Sequence, residues 1–295
     1  MTYAGPVTAE TLLAAQNPDG GWSFARGTSA TEPTACAVLA LAAAGASGEP
    51  VQRGRGWLLR IQRPDGGWPP RPSIAQSNYV TSLALLALQG NAASDVLRRG
   101  AEWLLNQSNR DASTIYRIRM MLLGTRRDLP SEEAWSWFPS TAAWVTPTAL
   151  AMLALRPWRD SPLREPVRKR LASGEAYLWS RLCRDGGWNH GSSKALGYEA
   201  DSYPETTGQA LLALSGTRDE RLPRALAAAE RHLRACRSAE AASWLQLGLL
   251  AHRQPLPSVP VHLSRPRTVL DQALSLIAAR AAAGQNPLLE AAHAA

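Results

Sequence analysis

The chain has 295 residues, 45% of them hydrophobic and 19% charged, an ordinary globular balance with ample material for a core. Three scattered cysteines make no disulfide framework, and the longest apolar runs, such as 35–44, fall short of the roughly 20 residues a spanning helix needs. The formal charge of +8 is almost wholly arginine, Lys169 and Lys194 being the only lysines. Because the arginines are spread along the chain and not gathered into a stripe or tail, nucleic acid is excluded as the expected partner.

In chain order the first recognisable unit is Gln16-Asn17-Pro18-Asp19-Gly20-Gly21-Trp22, followed by a Thr-led run of small and aliphatic residues from Thr34 to Leu41. The pair recurs as Gln62 to Trp68 with Thr81 to Leu88. An amphipathic stretch follows, with Leu97, Ala101, Leu104 and Leu105 on one stripe and Arg98, Arg99 and Glu102 off it. A degenerate copy starts at Gln107, and the register then predicts a helix through 113–123 that carries Arg117 and Arg119. Thr148 to Leu155 is the next Thr-led run, and Arg184 to Trp188 the next Gly-Gly-Trp unit. Thr207 to Leu214 comes after it, and a second amphipathic stretch carries Leu222, Leu226, Ala229 and Leu233.

Helices ahead of the Gly-Gly-Trp units are therefore half-exposed, and those behind the threonines, apolar on every side, are buried. Pro33, Pro147 and Pro204 stand at helix starts, where proline is tolerated. Alternation of the two kinds with a period near 46 residues predicts an all-α chain closed into an α/α toroid of about six helix pairs, a single domain over 1–295. The Gly pair suits a tight turn with positive φ, and Gln16, Asp19, Trp22, Gln62, Asp65, Trp68, Asp185 and Trp188 read as clamps.

Gln-x-Pro-Asp-Gly-Gly-Trp followed by a Thr-led buried helix resembles the QW motif, the prenyltransferase and squalene oxidase repeat, over roughly 12–279. Within that family the chain is most similar to a single-domain class II terpene cyclase of the squalene–hopene cyclase kind. The resemblance implies an isoprenoid ligand in a central cavity, no cofactor and no metal. Cys183, Asp185 and His190 make only a faint zinc set, with Asp185 already used by the repeated turn. Cyclases of this type carry Asp-x-Asp-Asp-Thr-Ala, whose middle Asp protonates an alkene or epoxide from two residues before the Thr.

Carried onto this sequence, that slot holds Glu205 before Thr207 and Glu32 before Thr34, with Tyr79 and Thr146 in the other two. The full acidic motif is absent, since Tyr203 and Thr206 flank Glu205. Glu205 is then a catalytic acid with Asp201 or His190 as its partner, or a carboxylate capping its own helix. Glu32 carries the same pair of readings. A carbocation would need π faces, and Trp135, Trp137, Phe138, Trp144, Tyr79, Tyr203 and Trp244 are the candidates for the lumen wall. Arg117 and Arg119 either face the cavity and hold an anion or lie on a less enclosed helix. A non-catalytic lipid- or protein-binding toroid is the alternative function. The absence of a secretory signal implies a cytoplasmic protein, and the basic surface leaves room for weak peripheral membrane association.

Overall fold

The structure, a computed structural model, describes residues 8–46, 48–107, 122, 133–191, 194–195, 198–258 and 263–291. In chain order its helices are α1 (Ala9–Ala14), α2 (Thr31–Ala43), α3 (Glu49–Arg60), α4 (Val80–Leu88), α5 (Ser94–Asn106) and α6 (Val145–Leu155). There follow α7 (Arg164–Ser180), α8 (Pro204–Ala213), α9 (Leu222–Ala235), α10 (Ala239–Ala251), α11 (Val269–Ala282) and α12 (Pro287–Ala291). A 3-10 turn (Arg156–Asp160) continues α6, and β1 (Lys194–Ala195) pairs antiparallel with β2 (Tyr198–Glu199). Of the predicted helix through 113–123, every residue except Leu122 lies outside the described residues, Arg117 and Arg119 included.

The two kinds of helix sort into two layers because their burial demands differ. All nine residues of α4, from Val80 to Leu88, are buried, and α2, α6, α8 and α10 are buried over most of their length. Such helices have no face to offer water and must be surrounded. Among the described residues they form a closed ring in the order α2, α4, α6, α8, α10, α11 and back to α2. Outside it α3 packs on α2 and α4, α5 on α4 and α6, α7 on α6, α9 on α8 and α10, and α1 on α11 and α2. The fold is an α/α toroid. At one joint the backbones touch: a Cβ on Gly208 of α8 would lie 2.3 Å from the Trp244 carbonyl carbon of α10.

Each tryptophan of the repeat ties three things together. Its indole N–H donates to a carbonyl in the last turn of the outer helix before it: Trp22 to Leu12 (2.7 Å), Trp68 to Leu58 (2.8 Å) and Trp188 to Leu178 (2.6 Å). Each of these carbonyls also accepts a backbone N–H from the residue just past its helix (Ala15, Ile61 and Arg181), so the indole is a second donor to it. The same residue's backbone N–H donates to the Thr hydroxyl of the next inner helix, Trp22 to Thr34 at 2.8 Å and Trp188 to Thr207 at 3.0 Å. Two residues further on, a carbonyl receives the first N–H of the neighbouring inner helix: Pro70 from Thr31 and His190 from Val145. Phe24 receives it from Val269 of α11, so the ring closes on its first repeat with the bond used between the others.

The Gly pair earns its place at this clamp. Gly20, Gly66 and Gly186 have φ of +94°, +90° and +96°, and a Cβ there would also strike an outer-helix carbonyl, that of Arg99 at 2.6 Å in the case of Gly66. Asp19 accepts from Gly21 N–H, Ser29 and the Trp57 indole. Burial pushes its carboxyl up, but those bonds outweigh it and hold the group below its ordinary value. In the later copy Ser202 bridges Asp185 (2.6 Å) and His232 Nε2 (2.6 Å). Since Ser202 gives its only proton to the carboxylate, His232 is the donor on its side.

Candidate functional site

The threonine lock fixes which way each inner helix faces. Residues two apart on an α-helix point about 200° apart, so with Thr34, Thr81, Thr148 and Thr207 turned outward to their tryptophans, Glu32, Tyr79, Thr146 and Glu205 turn toward the ring axis. Helix α10 has no threonine to mark it. Its Ala242 N–H donates to the Ser238 carbonyl as Thr34 N–H does to Ala30 and Thr207 N–H to Tyr203. Ala242 therefore stands where the threonines stand, and Glu240 falls in the axial slot beside Glu32 and Glu205. Sequence reading missed it because the threonine was the marker being followed.

Three glutamates from three inner helices thus meet at the end of the toroid where those helices begin. Glu32 is densely surrounded, and burial raises its carboxyl above the ordinary value while the Tyr79 hydroxyl, 2.9 Å from Oε2, opposes that rise. Glu240 is pushed up to about 7, first by burial and then by the charges of Glu32, Asp271 and Glu205, with a hydrogen bond from Trp244 opposing. Cys36, one turn below Glu32, is raised by burial and by Glu32 and Glu240. The tyrosine is raised too, by burial and then by Glu32. The protein thus favours the proton on Glu32 and Glu240, the state a proton donor needs.

Glu205 has no hydrogen-bond partner among the described residues, and Tyr203, the residue before α8, makes no side-chain cap. One turn below Glu205, Gln209 accepts from Thr146 at 2.6 Å, joining α8 to α6. Deeper on the same helical faces Leu83, Leu150, Leu212 and Ile277 are at most 2% exposed. Below the acidic mouth, then, these four described side chains are buried.

Aromatic rings stand around that mouth. Trp137 meets Tyr79 edge-on at 4.5 Å, and the exposed His190 lies between Trp144 (5.9 Å) and Tyr203 (5.0 Å). Phe138 is exposed nearby in sequence, and Trp244 is buried one turn below Glu240. Asp201 is exposed and offers its backbone carbonyl to Asn189. Among the described residues no three His, Cys, Asp or Glu side chains converge as metal ligands.

Trp135 is a correction. Expected on the lumen wall, it is 1% exposed and is the clamp tryptophan of the degenerate repeat, bonding the Leu104 carbonyl (2.9 Å) and the Thr148 hydroxyl (3.1 Å). It lies 31 residues after its carbonyl partner where the other three lie 10 after theirs, so an insertion hid the equivalence. Ala134 and Glu133 replace the glycines ahead of it. Arg170, over its ring at 4.1 Å, reaches both sides of the insertion through the Gln107 carbonyl and Glu133.

No protein-family model matches the sequence, and no curated protein is similar enough to count as a match. Among solved structures, the chain is similar to type II terpene cyclase MstE from Scytonema. The R337A variant, in complex with geranylgeranyl dihydroxybenzoate, gives a TM-score of 0.55 at 17% identity over 82% of this chain and 70% of that one. The apo MstE structure gives 0.53 at 18% over 82% and 71%. A protein from Actinoplanes gives 0.53 at 17% over 82% and 72%. At this identity the likeness is one of fold: this chain folds as the type II terpene cyclases do.

Proposed function

We propose that this protein is terpene cyclase-like, holding an isoprenoid at the acidic mouth of the toroid and cyclising it by protonation. One observation carries the reading: Glu32, Glu205 and Glu240 converge from three inner helices at one end, with the proton favoured on Glu32 and Glu240. The fold likeness supports it, since a neighbour of the same fold is named as a type II terpene cyclase bound to a geranylgeranyl compound. Glu32 is the donor in this reading, Tyr79 orients its carboxyl, and Glu240 is the neighbouring acid whose charge and that of Glu32 oppose each other's ionisation. Glu205, unpaired among the described residues, is the rival donor. Tyr79, Trp137, Trp144, His190 and Tyr203 offer ring faces to developing positive charge.

A second reading rests on the burial of Leu83, Leu150, Leu212 and Ile277 below the mouth: a toroid that binds a lipid-like molecule there without chemistry. Product analysis after incubation with squalene, farnesyl diphosphate and geranylgeranyl diphosphate separates the two. Turnover that falls about 10²–10⁴-fold in Glu32→Gln, with folding intact, is the expected result. Full loss in Glu205→Gln with Glu32→Gln active moves the acid to α8. Binding without product in the unmodified protein establishes the second reading.

A further inference from the structure

At the opposite end of the toroid from the glutamates lies a cavity of about 890 Å³, open on one side. It sits where α6, α8 and α10 finish, with Ala213 and Ala251, the last residues of α8 and α10, on its wall. From Glu205 to Ala213 is about 12 Å of helix at 1.5 Å per residue, so the cavity is separate from the mouth.

The charge of this cavity is out of balance. Arg156 lies at its wall only 8% exposed, donating to the Ser215 hydroxyl (2.6 Å) and to the carbonyls of Ala213 and Ser215. All its partners are neutral, and no carboxylate lies within ion-pair distance among the described residues. A buried guanidinium with no anion is uncommon, because desolvation is repaid only by a close opposite charge. Burial pulls Arg156 down to about 10, and Arg159 adds to that fall against the opposing charge of Glu175. Arg159, on the same 3-10 turn, and Arg168, on α7, line the cavity and have no hydrogen-bond or ion-pair partner among the described residues. Two carboxylates, Asp160 and Glu175, also line it, so that among the described residues three cations stand against two anions.

Apolar side chains complete the wall: Met152 from α6, Leu171 from α7 and Leu289 from α12, with Pro157. On α7 the lining residues Arg168, Leu171, Ala172 and Glu175 follow the spacing of one helical face, so the charged and apolar parts belong to one continuous surface.

We infer that this cavity is a binding site for an amphipathic phosphate monoester, whose head is held by Arg156, Arg159 and Arg168 and whose apolar tail lies along Met152, Leu171 and Leu289. Planar guanidinium groups pair with phosphate oxygens two at a time, and a phosphate monoester brings nearly two negative charges to a site short of them. The inference is independent of the chemistry assigned to the mouth.

Calorimetric titration of the full chain with decyl phosphate, decanol and inorganic phosphate tests it, with thermal unfolding as the control for folding. Decyl phosphate binds at least tenfold more tightly than decanol or inorganic phosphate. The Arg159→Ala/Arg168→Ala double variant, whose two side chains are exposed and outside the packed core, weakens decyl phosphate at least tenfold and keeps its melting temperature. Glu32→Gln leaves that binding unchanged. Equal affinity for decyl phosphate and decanol, undiminished binding by the double variant, or loss of binding in Glu32→Gln would overturn the assignment.

Discussion

Replacing Glu240 by Gln should remove a pH-dependent cost that the fold now carries. The carboxyl moves from its ordinary value near 4.5 to about 7 on folding, through burial first and the charges of Glu32, Asp271 and Glu205 second. Between those two values the folded chain holds a proton that the unfolded chain has lost, so stability falls as pH rises through that window. At about 1.4 kcal/mol per pH unit, the loss from Glu240 between pH 4.5 and 7 is about 3 kcal/mol. For a chain of 295 residues that is about 5 °C in melting temperature. Gln keeps an oxygen for the Trp244 indole and carries no charge, so Glu240→Gln should match the unmodified protein at pH 4.5 and exceed it by about that margin at pH 8. Its effect on Glu32 has the same sign, because the neighbouring charge is gone. Thermal or urea unfolding of both proteins across pH 4.5–8 reads the difference directly. Parallel curves, with no gain in the variant at pH 8, would refute the convergence of these carboxyls.

Trp135→Ala should destabilise the fold by about 3–5 kcal/mol, as Trp68→Ala should, and chemical denaturation will show whether the two costs agree. Gly66→Ala should cost at least 1 kcal/mol, since its φ of +90° and the Arg99 carbonyl both oppose a Cβ; Gly90→Ala, with φ of +70° and nothing within 4 Å of its Cβ, should cost less. Asp185→Asn should remove stability above pH 4 and little of it in stronger acid, because hydrogen bonds from Ser202 and Gly187 outweigh burial and hold the carboxyl below its ordinary value. Acid-unfolding midpoints of the two proteins check the sign. Binding to anionic vesicles should be weak and should fade as salt rises; among the described residues no helix is long and apolar enough to cross a membrane.

Periodicity carried much of the fold. A Gly-Gly-Trp unit followed by an all-apolar helix has one physical meaning, since such a helix must be enclosed, and repetition of that unit implies a ring or a stack. The clamp roles of Trp22, Trp68 and Trp188 were legible for the same reason: the local pattern contains the glycines, the aspartate and the threonine that the turn uses. Trp135 was not, because its helix partner Leu104 is 31 residues away and the flanking glycines are gone. Spacing within a sequence cannot reveal an equivalence that is restored only when two segments fold against a common third.

The acidic mouth shows the same limit. Glu32 and Glu205 could be found by counting back from a threonine, but Glu240 follows no threonine and joins them only through the hydrogen-bond register at the start of α10. Whether a carboxyl there is a cap or an acid depends on desolvation and on charges brought from other helices, quantities that arise only when α2, α8, α10 and α11 share one end of the ring. Periodicity gave no sign of the cavity at the far end. It is assembled from the ends of helices far apart in the chain, and no local pattern encodes where several helices stop together.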